Sequence, residues 1–192
     1  MTRFGKMIRQ CHRTVRVQYY KMISSNSYIG SVPILNQPVF FAGNGKISFE
    51  PNVTLGYPES PFFYSGYTYL DARGKGSEIK IGENTIINNN AVLVADNVSI
   101  KIGKNVLIGL SFEVNTSDSH SLNPKKRFTS DYPKMNVTIG DNVFIGSNVT
   151  LLKGVSIGRN SVIGNGSIVT KNIPENVVAA GVPCRIKRKV PF

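Results

Sequence analysis

The sequence predicts an all-β chain wound into a triangular parallel solenoid, and three observations lead there. Aliphatic residues recur at every sixth position from Ile139 through Ile145, Leu151, Ile157 and Ile163 to Val169, and the same beat runs through Ile81, Ile87 and Leu93 and through Ile102, Ile108 and Val114. Glycine commonly follows the aliphatic, as at Gly82, Gly103, Gly109, Gly140, Gly146, Gly158 and Gly164. Three residues after the aliphatic stands Asn or Gly: Asn84, Asn90, Asn105, Asn142, Asn148, Gly154, Asn160, Gly166 and Asn172. A six-residue period fits neither the helical repeat of about 3.6 residues nor the plain alternation of an isolated strand. It fits one short strand and one corner per hexad, with three hexads making a coil.

Each element follows from that frame. The aliphatic points into the prism and stacks on its equivalents in neighbouring coils, which lie about 4.8 Å apart. Asn and Gly tolerate the left-handed backbone that a tight corner demands. The step from Leu93 to Ile102 is longer than a hexad, so a corner is enlarged around Asp96–Lys101. Between Val114 and Ile139 the beat is lost, and residues 115–136 carry Pro124, Pro133, Lys125, Lys126, Arg127, Lys134 and His120. This segment reads as a loop expelled from the coil, and long ordered loops in compact domains are commonly functional. Upstream, Ile47, Val53 and Leu55 suggest one early coil and Ile29-Gly30 a second. The aromatic and glycine-rich stretch Tyr57–Gly76 reads as an irregular first part of the solenoid. Pro174 breaks the pattern, and the chain is expected to leave the prism after Val177-Val178.

The first residues differ in kind. Arg3, Lys6, Arg9, Arg13, Arg16 and Lys21 precede the first acid, Glu50, and contribute to a net charge of +12. Phe4, Ile8, Cys11, Val15, Tyr19 and Met22 recur at helical spacing, which predicts a basic amphipathic helix to about residue 23 within an extension spanning residues 1–25. Such a helix can cover the open end of a solenoid, or lie on an anionic membrane surface. The segment lacks any recognisable nucleic-acid module, and no nucleic-acid partner is expected. Residues 26–192 are read as one domain, with 41% hydrophobic residues to fill its core. Neither a membrane span nor a secretion signal is expected. Cys11 and Cys184 lie far apart, resemble no metal-binding spacing, and suit a reduced, cytoplasmic setting.

Of the two histidines, His12 falls in the basic helix and His120 in the expelled loop. An imidazole can take a proton from a hydroxyl and return it to a leaving group, so His120 is the candidate catalytic base. Asp118 or a backbone carbonyl could orient its ring. One useful histidine per chain cannot supply a histidine-rich metal site, so no metal is expected.

The segment from Ile163-Gly164-Asn165-Gly166-Ser167-Ile168-Val169-Thr170-Lys171-Asn172-Ile173-Pro174 to Val178-Ala179-Ala180-Gly181-Val182-Pro183-Cys184-Arg185 resembles the terminal coil and exit of hexapeptide-repeat acyltransferases. The nearest likeness is to the galactoside and maltose O-acetyltransferase group and to capsule and lipopolysaccharide O-acetyltransferases. The resemblance is densest over Ile139–Arg188, good over residues 81–138 and poor over residues 1–60. It implies a left-handed parallel β-helix (a hexapeptide-repeat solenoid) with a protruding loop and a short N-terminal helix, assembled as a homotrimer with active sites between neighbouring prisms. It further implies acetyl-CoA as acyl-donor substrate, a carbohydrate acceptor, His120 as base, and Asn88 as the residue that binds the acceptor or shapes the site. Contacts to CoA then fall on Ser147, Asn165, Thr170, Lys171, Arg185 and Arg188, and Phe144 stands where an aromatic packs beside the pantetheine. Lysine and arginine suit the 3′-phosphate and pyrophosphate of CoA.

The function expected is therefore acetyl transfer to a sugar hydroxyl, in capsule or lipopolysaccharide synthesis. The different N-terminal region makes galactoside or maltose specificity unsafe to carry over. A small acceptor such as a free sugar, an amino sugar or an antibiotic is the alternative enzyme, and a non-catalytic β-helix scaffold is the alternative class.

Overall fold

A computed structural model describes residues 3–191 of the chain; Met1, Thr2 and Phe192, the ends of the expected extension and domain, lie outside the described residues. Three parallel walls close a left-handed prism. The first wall stacks Ile29–Gly30, Lys46–Phe49, Glu78–Ile81, Ser99–Ile102, Val137–Ile139 and Ser156–Ile157. The second stacks Ile34–Leu35, Thr54–Leu55, Ile86–Ile87, Leu107–Ile108, Phe144–Ile145, Val162–Ile163 and Val177–Ala180. The third stacks Val39–Gly43, Thr68–Ala72, Val92–Ala95, Glu113–Asn115, Thr150–Leu151 and Ile168–Val169.

Register follows the six-residue beat. Ile139 pairs with Ile157, Ile145 with Ile163 and Leu151 with Val169, so each aliphatic sits on its equivalent one coil away. Ile81, Ile87, Leu93, Ile145, Leu151, Ile163 and Val169 have no solvent exposure. Burying an aliphatic side chain of this size contributes about 1.5–3 kcal/mol, and the column repeats it on every wall.

The corners are asparagine-led. Asn84, Asn90, Asn105, Asn142, Asn148 and Asn160 adopt positive φ, as do Gly154 and Gly166. Asn172 does not; its Oδ1 accepts instead from Ser156 N at 2.8 Å. Between the first and second walls the asparagines also bond one another along the spiral. Asn142 Nδ2 donates to Asn160 Oδ1 at 3.2 Å, and Asn160 Nδ2 to Asn176 Oδ1 at 2.8 Å. Asn160→Ala should therefore cost about 2 kcal/mol, from the left-handed backbone and the lost ladder together. Asn160→Gly keeps the backbone freedom and should cost about half as much. Urea midpoints of the two variants at unchanged slope test the difference.

Four features refine or depart from the expectation. The N-terminal coils are regular, with Val39–Gly43 pairing along its length with Thr68–Ala72; only the segment after Leu55, from Tyr57 to Tyr67, is pushed out of the spiral. Helix α1 (Arg3–Ile23) forms over the predicted residues and lies against Val39–Gly43, the edge strand of the third wall, covering that edge without entering the prism. None of its residues is buried, and the aperture is filled by Tyr28, whose ring lies 5.4 Å from both Phe41 and Phe49. At the other end the last coil runs to Ala180. The chain then turns back as Arg185–Lys189, pairing antiparallel with Val177–Ala180, an exposed strand of four cations and one isoleucine that no alternation announces.

Candidate active site

The expelled loop leaves the spiral at the corner between the third and first walls, after Glu113–Asn115, and returns at Val137–Ile139. Its two arms are tied at the base, where Met135 N donates to Thr116 O at 2.9 Å and Ser117 bridges Lys134. Each arm is then fastened to a different coil. On the outgoing arm Asp118 pairs with Lys153, which belongs to the following coil. On the returning arm Tyr132 Oη donates to Asp96 Oδ2 at 2.8 Å and Lys134 Nζ to Asp96 Oδ1 at 2.9 Å, on the preceding coil. The Asp96 side chain is 3% exposed. Burial pushes its pKa up, but the hydrogen bonds from Lys134 and Tyr132 outweigh that and hold it below the ordinary aspartate value.

His120 stands exposed between these fastenings. Its Nδ1 lies 3.0 Å from the carbonyl oxygen of Arg127, across the short 3-10 turn Pro124–Lys126. A carbonyl can only accept, so Nδ1 carries the hydrogen and Nε2 presents its lone pair outward. The backbone carbonyl thus orients the imidazole. Asp118, the other candidate for that task, is committed to Lys153. Lys153, Asp96 and Tyr132 were not singled out from the sequence; the one signal available was that Asp96 opens the enlarged corner.

The asparagine triplet resolves into three tasks. Asn90 turns the corner at φ 63°. Asn89 is fully buried, and its Nδ2 donates to the carbonyls of Tyr57, Ser60 and Pro61, holding the Tyr57–Tyr67 loop in place. Asn88 is half-buried, with Oδ1 accepting from Asn89 N at 2.6 Å. It lines a largely apolar cavity of about 290 Å³ with Tyr57, Ile86, Leu107 and Phe144. Asn88 and Phe144 therefore share one concavity on the second wall. His120 does not line it: the third wall separates the two corners within one protomer.

The remaining candidates fall into two groups. Ser147 and Asn165 meet at the corner between the second and third walls, where Asn165 Oδ1 accepts from Ser147 N at 2.9 Å and Ser147 Oγ accepts from Leu110 N at 3.3 Å. Thr170 and Lys171 follow Ile168–Val169 at the opposite edge of the third wall. Lys171 and Arg185 line a common cavity of about 460 Å³ with Asn172, Ile173, Cys184 and Ile186, and no acidic residue lines it. Arg185 Nη1 also donates to Cys184 O at 2.9 Å. Arg188 lies farther along the same exposed strand, opposite Val178.

Comparison with known proteins gives these positions a context. Residues 136–171 match the family model described as the hexapeptide repeat of succinyl-transferase. Over 115 residues the chain is 48% identical to galactoside O-acetyltransferase of Escherichia coli K12, a match that takes in 60% of this chain and 56% of that protein. The matches span between 55% and 61% of the length of the first curated relatives. Among solved structures, a galactoside acetyltransferase in complex with coenzyme A has a TM-score of 0.58 at 32% identity, covering 95% of this chain and 82% of that one. The polySia specific acetyltransferase NeuO has a TM-score of 0.60 at 28% identity, covering 83% of this chain and 82% of that one.

Proposed function

Because the chain belongs to the hexapeptide-repeat acyltransferases, we propose that it transfers the acetyl group of acetyl-CoA to a hydroxyl of a sugar, in the assembly of a surface polysaccharide. One observation carries the chemistry: an exposed imidazole whose Nδ1 is tied to a backbone carbonyl, leaving Nε2 as the basic atom. In the reaction, Nε2 takes the proton of the sugar hydroxyl as that oxygen attacks the thioester carbonyl carbon. A backbone N–H at a coil corner steadies the resulting oxyanion. The C–S bond then breaks, the acetyl ester stays on the sugar, and the imidazolium returns its proton to the departing thiolate. No residue needs to carry the acetyl group.

The donor's phosphates suit the cavity of Lys171 and Arg185, which brings two cations together with no acid on its lining. Arg188 extends the same basic strand. Ser147, Asn165 and Thr170 lie along the coils where an amide-bearing arm can run, and Phe144 offers a half-exposed ring to it. If the two cations meet the phosphates, Lys171→Ala and Arg185→Ala should each weaken acetyl-CoA binding by about 1–3 kcal/mol, with thermal stability unchanged. Titration calorimetry measures this, and unaltered affinity would return both residues to the ordinary basic surface.

A homotrimer fits the separation of His120 from the Asn88 cavity. The outward positions of the second wall include the exposed Ile34, Ile86, Leu107 and Phe144, a column suited to a neighbouring prism. In that arrangement the loop of one protomer faces the Asn88 cavity of the next. A cytoplasmic location belongs to the same reading. Support for a glycan acceptor comes from relatives named for a galactoside and for polySia.

The test uses purified full-length protein with acetyl-CoA and a panel of mono-, oligo- and polysaccharides. Free thiol is followed with a trapping reagent, and products are examined by mass spectrometry before and after mild base. Thiol release that depends on a sugar and leaves a base-labile acetyl ester is the expected result. Release indifferent to every sugar, or a base-stable amide product, would defeat it.

A further inference from the structure

We propose that helix α1 is a peripheral anchor for an anionic lipid bilayer, held on the solenoid with its polarity inverted. A surface helix of a globular protein ordinarily turns its apolar stripe inward. In α1 the inward residues are mainly cationic and polar, with Val17 the one half-buried aliphatic among them. Arg16 donates to the carbonyls of Phe63, at 3.2 Å, and Gly66, at 2.8 Å, and Arg13 donates to Asn36 Oδ1 at 3.3 Å. The rings of Tyr20 and Tyr67 stand 4.8 Å apart, and those of His12 and Tyr64 5.9 Å apart.

With that face engaged, the opposite stripe points away from the protein. Phe4 is 66% exposed, Ile8 52%, Val15 61%, Tyr19 56% and Met22 82%, at steps of three, four or seven residues along one side of the helix. Arg3, beside Phe4 and Met7, and Lys21 flank that stripe and form no ion pair among the described residues, whereas Lys6 and Arg9 line a cavity with Arg13, Glu59 and Tyr64 on the docked side; α1 contains no acid.

These two properties select the occupant. Nucleic acid would answer the charge but has no use for a stripe of Phe, Ile, Val and Met. A second copy of the helix would answer the stripe but would bring two acid-free cationic helices together. An anionic bilayer surface answers both, since apolar side chains sink to the acyl boundary while lysine and arginine meet head groups. The described helix is not long and apolar enough to cross a membrane, so the contact is along the surface. Anchoring and acetyl transfer are separable, because no α1 residue lines the Asn88 or Lys171 cavities.

The experiment floats the full chain with vesicles of phosphatidylcholine alone and of phosphatidylcholine mixed with phosphatidylserine. The wild type is compared with an Ile8→Asp, Val15→Asp double variant and an Arg3→Gln, Lys21→Gln double variant, all of which leave Arg13 and Arg16 in place. The expected result is flotation with the anionic vesicles only, abolished by the two aspartates. It should also weaken about five-fold for each cation removed, on the usual scale of a basic residue near an anionic surface. Equal flotation with both vesicle types, or undiminished flotation of the aspartate variant, would overturn the anchor. So would a smaller lipid-free assembly mass in that variant, which would give the stripe to a second copy. Tighter binding to duplex DNA than to vesicles, indifferent to Ile8 and Val15, would give the helix to nucleic acid.

Discussion

His120→Ala should slow sugar-dependent release of the CoA thiol by about 10²–10⁴-fold, the usual contribution of a positioned general base. The loss should fall on kcat, because the imidazole acts on a proton in flight and makes no claim on the donor's phosphates. Acetyl-CoA affinity, which we propose rests on the cation cavity at Lys171 and Arg185, should stay within two-fold or so of the parent. Stability should also hold to about 0.5 kcal/mol, since His120 is exposed and its side chain's hydrogen bond is to the Arg127 carbonyl within the same loop. His120→Asn is the sharper companion. It can keep a donor to Arg127 O and so preserve the loop, yet it has no atom that accepts a proton near neutrality. Equal losses in the two variants would mark proton transfer as the role. Near-normal turnover in either would remove His120 from the reaction.

The regular part of the spiral was legible because one physical requirement repeats. Every hexad must send an aliphatic inward and turn a corner. The residues able to do so, from Ile81 to Val169, recur often enough to set the register by themselves. Where the repeat is interrupted, that redundancy is gone. The coil through Thr54–Leu55 and Thr68–Ala72 is as regular as its neighbours, but the intervening Tyr57–Tyr67 excursion hides its phase. Its anchor, Asn89, looks in sequence like any other corner asparagine.

The site divides in the same way. A loop histidine is visible in one dimension, whereas its orienting partner is not. Choosing between Asp118 and a carbonyl requires knowing that Lys153, 35 positions away, claims the aspartate. Periodicity likewise showed which α1 residues share a face but not which face docks. That choice was made by Arg13 and Arg16 finding acceptors at Asn36, Phe63 and Gly66, contacts set by where the Tyr57–Tyr67 loop lies.

The loop's attachment to the preceding coil yields the second large effect. Lys134→Met should destabilise the chain by about 3 kcal/mol near neutrality, the low end of the range for a buried ion pair broken on one side. The low end applies because Tyr132 and Asn97 still donate to Asp96. The stranded carboxylate, 3% exposed, is the source of the cost, since Lys134 itself is 22% exposed and its aliphatic stem is matched by methionine.

The pH dependence provides a control, and its sign differs between the two proteins. In the parent, Asp96 has a depressed pKa, so its contribution is present above the ordinary aspartate value of 3.8 and is lost as pH falls through the lower folded value. In Lys134→Met the principal opposing charge is gone and burial dominates. The folded pKa then rises above the unfolded one, and the deficit shrinks as the pH is lowered and the carboxylate takes up a proton. Chemical denaturation at several pH values should therefore show the two proteins converging in acid. Asp131→Asn supplies the comparison, because its pair with Lys126 is on the exposed tip of the same loop. Removing that pair should leave the denaturation midpoint close to the parent's, because solvent screens both exposed charges. A parallel offset between parent and Lys134→Met at every pH would mean that lost packing, and not a stranded charge, accounts for the change. The Asp96 fastening would then be ordinary contact area instead of the electrostatic tie that holds the His120 loop to the spiral.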